Sequence, residues 1–186
     1  MAQATVRPAE LGDVPEIARI QIETWRTAYT QLLPESVLDA LDTAEAEQAW
    51  RHAVQYGPAR VFVALEGDWT VGFCSLGPAP DEELADPDGT LPPDAATTVL
   101  VSALLVEPRW GRRGHGGRLL AVAAADARDR GATRGIAWVP EADSASLSFY
   151  RSAGWEPDGT VRTLDAAGRP LRELRITGTL DLPLVD

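Results

Sequence analysis

Residues 106–120 read VEPRWGRRGHGGRLL, and this stretch decides the fold. It follows a nearly continuous apolar run over 98–106, which predicts a strand at the centre of a sheet, buried on both faces. The glycines then open a helix with an apolar face that runs to Gly131. A strand that turns through glycines into a helix aims backbone N–H groups and the positive helix end at one point. The stretch therefore predicts a phosphate-binding turn.

The charge of this turn supports an anionic ligand. Four arginines lie in or beside the turn, opposed locally only by Glu107, although the chain as a whole has a net charge of -11. They are Arg109, Arg112, Arg113 and Arg118. A cationic site on an acidic protein attracts anions. The alternative is a glycine-rich turn whose arginines only solvate it or pair with acids elsewhere.

A dinucleotide-binding turn is the nearest competing motif. Its fingerprint, G-x-G-x-x-G, requires a third glycine at position 119, which is Leu119. That fingerprint also opens an early strand–helix–strand unit, whereas this turn lies past the middle of the chain. The pattern therefore disfavours a nicotinamide or flavin dinucleotide.

The composition limits the class of protein. A length of 186 residues and a mass of 20.0 kDa fit a single domain covering 1–186. Hydrophobic residues make up 45% and charged residues 24% of the chain, values typical of a soluble globular protein. No apolar run approaches the roughly 18 residues of a membrane span, and the N-terminus lacks a signal-peptide pattern. We therefore expect a cytoplasmic protein with no membrane partner.

Residue types that are absent or rare exclude several mechanisms. Lysine does not occur, so a Schiff-base nucleophile and a P-loop lysine are excluded. One cysteine, Cys74, and two histidines predict neither an internal disulfide nor a metal site. The acidic balance repels polyanions, so no nucleic acid is expected as a partner, whereas a cationic small molecule or peptide is compatible with it.

Hydrophobic periodicity and turn residues predict an alternation of helices and strands. The expected strands cover 5–8, 61–65, 71–76, 98–106, 136–139, 155–164 and 170–181. Five helices are expected. The first ends near Tyr29, the second begins at Pro34 and the third covers 43–55. The fourth runs from the glycine turn to Gly131, and the fifth from Asp143 or Ser144 to Ala153. The proline-rich, acidic stretch 77–94 is expected to be a long exposed loop.

A second stretch, WVPEADSASLSFYRSAGW at 138–155, identifies a family when it is taken together with the glycine turn. The two motifs and the order of elements resemble the GNAT superfamily of N-acyltransferases, which use acetyl-CoA. The resemblance covers about 95–181 by motif and the N-terminal half by element order. It implies an α+β fold with a mixed, mostly antiparallel sheet of about seven strands flanked by helices on both faces. It also implies acetyl transfer from acetyl-CoA to an amine by direct attack in a ternary complex.

The resemblance implies roles for particular residues. Tyr150 matches the family's tyrosine near the thioester sulfur, the general acid, and Trp25 and Tyr29 match the segment bordering the acceptor pocket. The implied cofactor-binding residues are Leu104, Leu105 and Val106 on the strand, Arg112, Arg113, Gly114, His115, Gly116 and Gly117 in the turn, and Asp143 before the last helix. Asp143 stands where the family frequently has asparagine, and Gly111 where it commonly has arginine or glutamine.

The proton acceptor is not assigned by sequence. Glu107, Glu23 and a water held by Ser102 all remain open. His115 is interpreted as an incidental neighbour of the cofactor and Cys74 as a buried packing residue. The alternative function is a non-catalytic acyl-CoA-binding or regulatory module of the same fold. The expected partner is a small-molecule or peptide amine, and because family members often dimerise, a homodimer is one expected form.

Overall fold

The computed structural model describes residues 4–182, which form a seven-stranded sheet beside six helices. The strands are β1 (Ala4–Pro8), β2 (Arg60–Glu66), β3 (Trp69–Pro78), β4 (Thr98–Val106), β5 (Arg134–Pro140), β6 (Glu156–Ala166) and β7 (Arg169–Thr179). The helices are α1 (Val14–Ala28), α2 (Glu35–Asp39), α3 (Thr43–Tyr56), α4 (Asp81–Leu84), α5 (His115–Asp129) and α6 (Ser144–Ser152). The strand order is β1-β2-β3-β4-β5-β7-β6.

The pairing of the strands confirms the expected architecture. Only β4 and β5 are parallel, and every other pair of neighbours is antiparallel. Two hairpins join strands that the sequence predicts, with Gly67 (φ 60°) in the β2–β3 turn and Ala167 and Gly168 (φ 53° and 86°) in the β6–β7 turn. In the β6–β7 turn, positive φ at both central residues matches the right-handed twist of the paired strands, which is why the chain reverses there.

Helices cover both faces of the sheet because its strands alternate their apolar side chains. On β2, Val61 and Val63 pack in one cluster with Ile17 of α1, whereas Phe62 packs in another with Leu119 of α5. Successive side chains of a strand point to opposite faces, so one strand serves both cores. No helix within residues 4–182 has the length and apolar character needed to cross a lipid bilayer.

The feature that positions the site is the divergence of β4 and β5. Their parallel pairing covers only Thr98–Leu100, opposite residues 134–136. Beyond this point β4 stays paired with β3 up to Val106, and β5 stays paired with β7. The prediction of a strand buried on both faces therefore holds only near its start: Ser102 is exposed and residues 103–106 are half-buried. The second half of β4 borders a gap in place of a neighbouring strand.

The acidic stretch 77–94 is not the free exposed loop that the sequence predicts. Pro78 still belongs to β3, and α4 buries Leu84, which is 1% exposed. Arg175 of β7 holds this segment, because its guanidinium donates to the Leu84 carbonyl at 2.7 Å and to the Asp86 carboxylate at 3.3 Å. These bonds join residues about ninety positions apart, so no local pattern could reveal them.

Cys74 provides a stability prediction. Its thiol is fully buried on β3, and burial raises its pKa to about 12. The unfolded thiol ionises near pH 8.5, so native stability is complete below that pH and falls as the pH rises towards the folded pKa. Urea denaturation of wild type should show a larger loss of stability between about pH 8 and 10 than Cys74→Ala shows. Equal losses in the two proteins would contradict this account.

Candidate active site

The glycine turn adopts the backbone conformation that anion binding requires. After β4 a single 3-10 turn, Pro108–Trp110, redirects the chain, and φ is then 62° at Arg112 and 81° at Gly114. Left-handed residues within such a turn bring successive N–H groups to one concave side. A non-glycine residue in this region is strained, and strain of this kind clusters at ligand sites. Helix α5 begins at His115, so its positive end points into the same concavity.

A cleft of about 350 Å³ opens directly over the turn. We call it the glycine-turn cleft; Leu104, Val106, Trp110, Arg112, Phe149 and Tyr150 line it together with the turn glycines. A Cβ atom on Gly116 would lie 3.2 Å from a ring carbon of Phe149 and 3.7 Å from Leu104. Glycine at this position therefore keeps the floor of the cleft open.

The structure brings most of the predicted cofactor-binding residues together. Leu104, Val106, Arg112, Gly114, His115, Gly116 and Gly117 all line the glycine-turn cleft. Leu105 faces a second cavity instead. Arg113 lies outside the lining of the cleft, with its guanidinium 4.9 Å from the centre of the Trp110 ring. Asp143 lines neither space, because its carboxylate caps α6.

Salt bridges compensate part of the positive charge around the turn. Arg109 lies 2.5 Å from the buried carboxylate of Glu107, and Arg113 lies 3.6 Å from Glu66. Arg112 has no salt bridge within residues 4–182. Since Arg112 also lines the cleft, its guanidinium is the positive charge that an anionic ligand would meet first.

Two side chains of the cleft wall bear on whether a phosphate-bearing ligand fits. His115 is buried, and its Nε2 lies 2.7 Å from a carboxylate oxygen of Glu66. The indole N–H of Trp110 is buried and has no hydrogen-bond partner among the described residues. A buried donor without an acceptor is costly and uncommon, so it calls for an explanation at this wall of the cleft. Together with the concave turn, these observations fit a CoA pyrophosphate and pantetheine arm.

The second cavity lies on the other side of Tyr150 and has a volume of about 550 Å³. We call it the aromatic cavity, because the rings of Trp25, Tyr29, Trp50 and Trp138 line it. The two residues predicted for the acceptor side, Trp25 of α1 and Tyr29 directly after its end, thus share one wall, with their ring centroids 6.0 Å apart.

Tyr150 stands where the two spaces meet. Its ring is 6% exposed, stacks on Trp155 at 5.5 Å between centroids, and lines both the glycine-turn cleft and the aromatic cavity. Burial raises the pKa of the Tyr150 phenol well above its usual value, with nearby Cys74 and Tyr29 adding to the effect. The phenol is therefore protonated at every pH at which the protein would act.

The carboxylates considered from the sequence lie outside both spaces. Glu23 accepts a hydrogen bond from Arg19 at 2.7 Å, and Glu107 forms salt bridges with Arg19 and Arg109. Ser102 does line the aromatic cavity, where its hydroxyl donates to the Ser75 carbonyl at 3.3 Å.

Sequence reasoning missed Glu173, which lines the aromatic cavity from β7 and is 9% exposed. In the sequence, Glu173 is one of several charged residues of a predicted strand. Its position at the cavity becomes evident only once β7 is known to lie beside β5.

Asp143 provides a prediction about the helix that carries Tyr150. Its carboxylate accepts from the Ser146 backbone N–H at 3.0 Å and from the Ser146 hydroxyl at 2.7 Å, which is an N-cap. Asp143→Ala should lower the free energy of unfolding by about 1 kcal/mol, whereas Asp143→Asn, which keeps a capping oxygen, should lower it by less than about half of that. Chemical denaturation measures both changes. An unchanged free energy of unfolding for Asp143→Ala would show that the cap contributes nothing.

The fold holds two cavities that meet at Tyr150, an arrangement typical of an enzyme that transfers a group between two substrates. Residues 17–155 match the model of the acetyltransferase (GNAT) family. The uncharacterized N-acetyltransferase YuaI of Bacillus subtilis is 32% identical over 172 residues, 91% of this chain and 90% of YuaI. The chain therefore belongs to the acetyltransferase (GNAT) family and is an N-acetyltransferase by class.

Solved structures agree on the fold. An N-acetyltransferase from Staphylococcus aureus Mu50 superposes with a TM-score of 0.72 at 18% identity, covering 97% of this chain and 100% of that one. The PaiA N-acetyltransferase from Thermoplasma acidophilum, solved in complex with coenzyme A, gives a TM-score of 0.71 at 14% identity, covering 95% and 99% of the two chains.

Proposed function

We propose that the protein transfers an acetyl group from acetyl-CoA to an amine by direct attack, without an acetylated enzyme. The observation that carries this proposal is the junction of the two spaces. Leu104, Ser146 and Tyr150 line both the glycine-turn cleft and the aromatic cavity, so a donor in one reaches an acceptor in the other. The cysteine of the chain is buried and its raised pKa keeps it protonated, which argues against an acyl-cysteine route.

The turn holds the donor by its main chain. The N–H groups of 112–117 and the end of α5 bind the pyrophosphate, and Arg112 adds positive charge. The second half of β4 has no partner strand on its β5 side, so its free backbone groups pair with an amide-containing arm as they would with another strand. These contacts fix the position of the thioester at the junction.

When bound, acetyl-CoA supplies a thioester carbonyl at which the amine nitrogen forms a C–N bond while the C–S bond breaks. Tyr150 donates a hydrogen bond, and then its proton, to the departing sulfur. The surplus proton of the amine leaves through the solvent in the aromatic cavity, where Glu173 is the buried carboxylate of the wall. Solvent returns a proton to Tyr150.

Release of free thiol tests the proposal against its alternative. Incubation with acetyl-CoA and a panel of primary amines should release CoA thiol only when an amine is present. Tight binding of acetyl-CoA without release for any amine would favour a non-catalytic acyl-CoA-binding module of the same fold. A rise in melting temperature with NAD and none with CoA would overturn both.

We also propose a cytoplasmic location and an acceptor that is not a nucleic acid. Support comes from the single buried thiol and from the net charge of -11, which repels polyanions. A homodimer is part of the same proposal, and light scattering at micromolar concentration measures it.

A further inference from the structure

The aromatic cavity restricts the chemistry of the acceptor that enters it. Its walls are the rings of Trp25, Tyr29, Trp50 and Trp138 with aliphatic side chains from α2, β4 and β7. The Trp50 indole N–H donates to Gln21 at 2.7 Å, whereas the Trp138 indole N–H is buried and has no hydrogen-bond partner among the described residues. A ligand gains most here by burying an apolar body against the rings.

The charged side chains that line the aromatic cavity are all negative. Among the described residues that line it there is no arginine or histidine, and the chain has no lysine. Its ionisable carboxyl groups are Asp165 and Glu173. Burial raises the pKa of the Tyr29 phenol to about 12, and the negative charges of Asp143 and Glu173 add to this effect. A cation is favoured in such a space, and a carboxylate or phosphate is repelled.

The guanidinium of Arg162, which contacts one ring of the cavity wall, is already paired with carboxylates. Arg162 lies 4.2 Å over the Trp138 ring, behind the wall. It bonds to Glu173 at 2.6 Å and to Glu83 at 2.7 Å, so two carboxylates compensate its one charge. Arg162 is therefore not free to bind the carboxylate of an amino acid, which arginine recognises as a bidentate pair.

Resting on the proposed acetyl transfer, we propose that the acceptor is a primary amine with an aromatic or branched aliphatic body and no carboxylate or phosphate group. The apolar rings hold the body and the carboxylates attract the ammonium form on entry. An amino acid of the same size is rejected by charge, and a polyamine is disfavoured because a second ammonium group would be buried among apolar side chains.

A matched set of amines tests this assignment. 2-Phenylethylamine and phenylalanine share a ring and an amine and differ by one carboxylate, while spermidine adds charge without a ring. Thiol release from acetyl-CoA should give a kcat/KM for 2-phenylethylamine about 100-fold above that for phenylalanine and at least about tenfold above that for spermidine. Quenching of tryptophan fluorescence, without acetyl-CoA, should show the same order of affinity.

A charge placed in the wall should reverse the discrimination. Val37→Arg should raise the phenylalanine to 2-phenylethylamine ratio of kcat/KM at least about tenfold, whereas Val37→Met, similar in length and uncharged, should leave it unchanged. Preference for phenylalanine or spermidine by wild type would overturn this inference and leave acetyl transfer standing. If no amine releases thiol, acetyl transfer fails, and the fluorescence titrations still decide which amine the cavity binds.

Discussion

Tyr150→Phe is expected to lower kcat by about 100- to 1000-fold while the affinity for CoA stays within about twofold of wild type. The ring of the variant keeps its stacking on Trp155, so the fold and both cavities remain. Only the phenolic hydroxyl at their junction is lost, and the departing sulfur must then take its proton from solvent. Stopped-flow detection of CoA thiol measures kcat, and titration calorimetry measures CoA affinity.

The matched control is Tyr56→Phe, which removes the same hydroxyl from a side chain that is 69% exposed at the end of α3. Its kcat should equal that of wild type. Because burial raises the pKa of Tyr150, the wild-type rate should show no loss from ionisation of this phenol below about pH 10. A Tyr150→Phe enzyme with full kcat would remove the assigned proton donor from the mechanism.

Gly117→Asp is expected to weaken CoA binding by about 100-fold without destabilising the protein. A Cβ atom at Gly117 meets no atom within 4 Å, so the substitution fits the fold. An acid in the first turn of α5 also interacts favourably with the helix dipole. The same carboxylate repels a phosphate in the glycine-turn cleft: at about 6 Å and an effective dielectric constant of about 20, one like-charge pair costs about 3 kcal/mol.

Gly117→Asn is the neutral control of nearly the same size. It should weaken CoA binding by less than about tenfold, so the difference between the two variants isolates charge. The deficit of the Asp variant should shrink as salt is raised from about 0.05 to 0.5 M. Equal Kd values for the Asp and Asn variants would mean that no phosphate lies beside this turn.

The sequence predicts the order of the elements well and the shape of the central gap poorly. Periodicity and turn residues place all seven strands, because each signal is local: Gly67 in one hairpin and Gly168 in the other. The divergence of β4 from β5 has no local signal, since apolar residues at 101–106 suit a buried strand equally well. Burial along β4 was therefore predicted wrongly from Ser102 onward.

The site divides in the same way. The glycine turn is a continuous motif, so its residues can be named from sequence, and five of the six predicted turn residues do line one cleft. Asp143 does not line that cleft; its position is fixed by the capping hydrogen bond at the start of α6. Glu173 and the anchoring of 77–94 by Arg175 depend on contacts between distant segments. Only the topology brings such residues to the site.

A crystal structure of the protein with CoA tests the central claim most directly. The account predicts pyrophosphate oxygens within about 3 Å of backbone nitrogens of at least two residues in 112–117, with the sulfur end of the ligand directed along β4 towards Tyr150. A structure in which CoA binds elsewhere, or in which its phosphates touch only arginine side chains, would contradict the claim that the main chain of the turn holds the donor.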